Sequence, residues 1–60
     1  MIIVVMTERE DDDNVIIFAA KDASTEEEAF TAFCEYEEFE EDVLDEGISD
    51  GEIQLHYKVV

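Results

Sequence analysis

STEEEAFTAFCEYEEFEEDVLDE, residues Ser24 to Glu46, is the stretch on which the fold turns. Laid out at ~100° per residue it reads as one helix, with Ala29, Ala32, Phe33, Tyr36, Val43 and Leu44 on a broad apolar face and Phe39 at its edge. The other side collects Glu27, Glu28, Glu35, Glu38, Glu41, Asp42, Asp45 and Glu46. Ser24 or Thr25 is the expected N-cap, each with a Glu three residues on to close a capping box. Gly47 is the expected stop, because glycine most readily takes the left-handed conformation beyond a last turn.

This helix is not built for stability. Asp42, Asp45 and Glu46 crowd the negative end of the helix dipole, where cations are favoured. Glu37/Glu41, Glu38/Asp42, Glu41/Asp45 and Asp42/Glu46 set like charges at i,i+4, costing roughly 0.2–0.5 kcal/mol per pair and on the order of 1–2 kcal/mol together. No Lys or Arg stands between Lys21 and Lys58 to relieve them. The charge itself is therefore expected to be functional.

Working outward, the 60 residues allow one domain, which buries only ~60% of its extended surface. Six Ile, six Val and four Phe are too many for a disordered acidic tail despite a net charge of -16. Nineteen acids against three basic residues exclude nucleic acid and anionic membrane as direct partners, leaving a basic partner, cations or high salt. Cys34, the single cysteine, forms no internal disulfide, and Met1 to Met6 is too short and uncharged for a signal peptide or membrane span. A cytoplasmic location is expected.

Ile2 to Met6 (IIVVM) is uniformly apolar and β-branched, and reads as a central strand buried on both faces. Thr7 to Asn14 carries five acids and reads as a long hairpin loop, followed by a second apolar strand, Val15 to Ala20. After Gly47 and an Asp50-Gly51 turn, Glu52 to Val60 alternates, with Ile53, Leu55, Tyr57 and Val59 on one face and Gln54, His56 and Lys58 on the other. The order β-β-α-β predicts an α+β fold, a three-stranded antiparallel sheet with the first strand in the middle and one long acidic helix across one face. A sheet covered on one side should be polar on the other, yet the first two strands are apolar on both. A homodimer or tight complex would supply the missing cover; over-hydrophobic short strands are the plain alternative.

Catalysis finds no support. His56 is alone on a polar strand face, and Cys34 lies among Glu35, Glu37 and Glu38, which raise its pKa and keep it from being a reactive thiolate. Neither EDDD at 10–13 nor DEGISDGE at 45–52 matches a calcium loop, and Cys/His clusters for zinc are lacking, so no cofactor and no dedicated metal site is expected, only weak, nonspecific association of divalent cations. The sharper reading is DNA mimicry. From Glu26 to Glu46 eleven acids occupy 21 residues, about 31 Å of helix, or one charge per roughly 3 Å against ~3.4 Å along one DNA strand. Phe30 falls off the core face beside the acidic stripe, as a partner anchor or as packing under the hairpin or in a dimer seam.

The acid-rich loop EREDDDN, the acidic aromatic run AFCEYEEFEED and the closing strand GEIQLHYKVV make the chain resemble small phage-encoded DNA-mimic inhibitors, especially the smaller class of uracil-DNA glycosylase inhibitors. Acidic anti-CRISPR and anti-restriction proteins share these features. The resemblance implies a homodimer whose acids imitate phosphates, and an apolar pocket that captures a side chain the glycosylase inserts into DNA. It points to Phe33, Tyr36 and Phe39 for the pocket and to Glu37, Glu38 and Glu41 as phosphate substitutes. With Glu35, Asp42, Asp45 and Phe30 these form the expected partner-binding set, directed at the basic cleft of a DNA-binding host protein. Two other readings stand beside it: a haloarchaeal domain whose acidity is salt adaptation, and an acidic adaptor for a basic protein. The concentration of fourteen of the nineteen acids between Asp22 and Glu52 favours mimicry over salt adaptation.

Overall fold

Two runs of β-branched residues and one alternating segment build the sheet, and the chain closes one side of it with two short helices. In a computed structural model, which describes residues 1–60 except the side chain of Asp12, the elements run β1 (Ile2–Glu8), β2 (Asp11–Ala20), α1 (Glu26–Glu37), α2 (Glu41–Ser49) and β3 (Ile53–Val59). The strand order is β2-β1-β3, antiparallel throughout, so the apolar first strand is central as its composition requires.

The hairpin is tighter than expected. β1 continues through Glu8 and β2 begins at Asp11, so Arg9 and Glu10 alone make the turn. Of the acids expected in a loop, Glu8 and Asp11 pair with each other in the ladder, and the Arg9 N–H donates to the Glu52 carbonyl at 2.8 Å, holding the hairpin end against the chain entering β3. The surplus length is absorbed by a register shift between Met6 and Glu8.

Register defines two faces. Ile2, Val4 and Met6 stand beside Ala20, Phe18 and Ile16 on one neighbour and Val59, Tyr57 and Leu55 on the other. This face meets Ala29, Phe33, Cys34 and Leu44 from the helices, and together they form the core. Phe33 at its centre is 0% exposed, with its ring 5.8 Å from that of Phe18.

The expected long helix is two helices. α1 starts as the sequence indicates: the Thr25 hydroxyl accepts the Glu28 N–H at 3.1 Å, while the Glu28 carboxylate accepts from the Ser24 N–H at 3.2 Å. It stops at Glu38, which takes the left-handed conformation with φ 60°. The Phe39 N–H then donates to the Cys34 carbonyl at 2.9 Å and the Glu38 N–H to the Glu35 carbonyl at 3.3 Å. These are the paired bonds of a Schellman stop, and the apolar contact that accompanies that motif is present as the Phe39 ring lying 5.9 Å from Phe33. A left-handed non-glycine residue costs about 1–2 kcal/mol. Two gains offset it. Phe39 packs onto the core, and Glu41 and Asp42 move from mid-helix into the first turn of α2, where the dipole favours negative charge.

Gly47 is not the stop. It lies within α2, where an added Cβ would stand 2.6 Å from Ile53 Cδ1, so glycine there lets the helix approach β3. The left-handed glycine is Gly51, φ 78°, in the turn before β3.

Candidate functional site: an acidic groove at the helix junction

The break rotates the buried face of α1. A wheel drawn through a continuous helix centres on Ala29, Ala32, Phe33 and Tyr36, but the buried residues are Ala29, Phe33 and Cys34, with Phe30 and Ala32 half-buried beside them, a turn of roughly 60°. Phe30 is therefore half-buried against the core, not a projecting anchor. Tyr36, expected inside, is 71% exposed, its ring stacked 5.0 Å from Phe18. Val43 on α2, also expected inside, is 62% exposed. Phe33, placed by the resemblance in a partner-facing pocket, is enclosed by the core and supports the junction from beneath.

The junction gathers charge. Glu35, Glu37 and Glu38 end α1, and Glu40, Glu41 and Asp42 begin α2, six carboxylates within residues 35–42. Between the helices opens a groove of about 450 Å³ lined by Cys34, Glu35, Phe39, Glu40, Glu41 and Asp42. Four carboxylates thus ring a mouth whose floor is an aromatic edge and a thiol. Four of the expected binding residues, Glu35, Phe39, Glu41 and Asp42, meet here; Glu38 stands exposed at the bend, Glu37 is half-buried, and Asp45 lies one turn further along α2. Glu40 was outside the expected set although it sits in the same acidic run. On a continuous helix it lies between faces, whereas in the structure it is the extended residue preceding α2, with no side-chain hydrogen bond capping that helix.

The field of this cluster is felt inside the protein. Burial pushes the Cys34 thiol above its ordinary value of 9.0, and the charges of Glu41 and Asp45 push it further in the same direction. The sequence had attributed this to Glu35, Glu37 and Glu38, the neighbours in the chain. Tyr57 on β3 is raised above 10.0, first by burial and then by Glu26, Cys34 and Asp45. A neutral, shielded thiol is a poor nucleophile.

What the groove offers chemically is a bent row of carboxylates with an aromatic surface among them. Such a surface suits guanidinium and ammonium groups, through charge-assisted hydrogen bonds to the rim and cation–π contact with Phe39. Among the described residues no helix is long and apolar enough to cross a membrane. Comparison with known proteins finds no matching family, curated protein or solved structure, so the functional reading rests on charge and geometry.

Proposed function

We propose that this chain is a non-enzymatic inhibitor that occupies the basic, DNA-binding cleft of another protein, with the junction carboxylates standing in for phosphates. One observation carries the reading: six carboxylates converge on the α1–α2 bend with no Lys or Arg in the chain between Lys21 and Lys58. A fold selected for stability alone would intersperse cations there, since each like-charge neighbour costs a few tenths of a kcal/mol. The bend also changes the shape of the mimic. In place of a straight 31 Å rod, two helices of roughly 18 and 14 Å are separated by a break at residues 38–40, and Glu35, Glu40, Glu41 and Asp42 line one groove there. A cleft lined by Arg and Lys, such as those of uracil-DNA glycosylases, restriction enzymes and CRISPR effectors, is the complementary surface.

The test is affinity capture from a bacterial extract at moderate salt, repeated with excess duplex DNA. Retention of a DNA-binding protein that DNA displaces is the expected result. Glu38→Gln, Glu41→Gln and Asp42→Asn combined should weaken capture and flatten its salt dependence while leaving the fold intact. Capture that DNA leaves unchanged would mark an adaptor for a basic protein instead. A chain that retains nothing and folds only in molar salt would mark salt adaptation.

A further inference from the structure

The face of the sheet turned away from the helices contrasts with the acidic helix layer on the other side. Its rows, read across β2, β1 and β3, are Ala19, Ile3 and Lys58, then Ile17, Val5 and His56, with Thr7 beside Gln54 below. The alternation carries on to Met1 and Val60, joined by the Val60 N–H donating to the Met1 carbonyl at 3.0 Å. Ile17 is 69% exposed, and Met1, Val15 and Val60 are exposed as well. No carboxylate occupies these rows, in a chain with nineteen, and one of its three basic residues does.

We infer that this face is where two copies of the chain pack sheet to sheet, as an isologous dimer centred on Val5 and Ile17. Charge selects the occupant. A basic partner drawn by the carboxylates is led to the helices and finds no attraction here, where Lys58 opposes it. A second copy meets the opposite constraint: with a net charge of -16, it can approach only where acids are missing. Sheets packed ~10 Å apart, each with a helix of ~10 Å diameter outside it, hold the two acidic layers roughly 20–30 Å apart, against a Debye length of ~8 Å in physiological salt. Sheet-to-sheet packing is thus the arrangement in which mutual repulsion is largely screened. It also leaves both helix junctions facing outward. Three short strands offer less than the ~800 Å² per copy of standard interfaces, so the association is expected to be weak and concentration-dependent.

This inference holds whether or not a DNA-binding partner exists, and its test needs none. Sedimentation velocity in physiological salt over roughly 5–500 µM spans the range of weak association. The native chain should pass from the mass of one copy to that of two. Ile17→Lys, at an exposed position, should raise the dissociation constant at least ~10-fold with an unchanged circular dichroism spectrum. Val43→Lys, an equally exposed apolar position on α2, should leave the dimer in place. A single-copy mass throughout, growth beyond two copies, or a dimer lost with Val43→Lys and kept with Ile17→Lys would each overturn the inference.

Discussion

On β1, Ile2, Val4 and Met6 lie sealed beneath the helices, while Ile3 and Val5, of the same chemical type and one residue away, remain partly open. The neighbours follow the same division: Phe18 and Ala20 turn inward on β2, and Ile17 turns to solvent. Along β1 and β2 both sides are apolar, so hydrophobicity does not determine burial in these two strands. The position of the helix layer does, and that layer sits on one side because both helices leave the sheet from β2 and return to it at β3 through short connections.

The sharpest way to break the comparison is to hollow out the covered side. Phe33→Ala removes the side chain on which Phe18 and Phe39 rest and should cost about 3–5 kcal/mol in denaturant unfolding. That is much of the stability available to so small a domain, so the variant should be largely unfolded at 37 °C. A loss under ~1 kcal/mol would place the core elsewhere.

A second test asks how the helix layer fits over that side. Glu38→Gly should stabilise the protein by about 1 kcal/mol, because glycine takes the left-handed conformation without steric cost. In a continuous helix the same change would destabilise by about 1 kcal/mol, so the sign of the melting shift separates two helices from one.

A more gradual effect comes with pH. Cys34 and Tyr57 both belong to the covered layer, and both have folded-state pKa values above their ordinary 9.0 and 10.0. Each folded group holds its proton more tightly than the unfolded chain does. Their contribution is therefore complete below about pH 9 and lost as pH rises past the ordinary values. Thermal melts between pH 8 and 11 should fall progressively, and Cys34→Ala should remove the earlier part of the decline. A flat profile would mean that neither group is protected.

The smallest effect belongs to the open side. Ile17→Ala, measured at concentrations where the chain is a single copy, should change unfolding by less than ~0.5 kcal/mol. A cost comparable to that of Phe33→Ala would mean that this face is covered within one copy.

Much of this arrangement was legible in advance. Alternation in Glu52 to Val60 identified β3, the uniform apolar run placed β1 at the centre, and Ser24 or Thr25 with a Glu three residues on marked the start of α1, where the structure selects Thr25. The surplus of apolar residues in the first two strands also announced an uncovered face. The helix phase was not legible. Val43, Leu44 and Phe39 entered a wheel to which they do not belong, and drew its centre away from Phe30 and Cys34 toward Tyr36. The hairpin was misjudged because Asp and Asn favour turns locally, while the Arg9 bond to the Glu52 carbonyl comes from a segment more than forty residues away.

The sequence by itself determined the element types, the central strand, the cap of α1 and the excess of negative charge, because each depends on neighbours within a turn or two of the chain. Only the tertiary structure decided where the acidic helix breaks, which way its aromatics point and that its carboxylates ring a groove. Those depend on Phe39 finding Phe33 and on Gly47 admitting Ile53, contacts whose gain exists only once the sheet and helices are packed together.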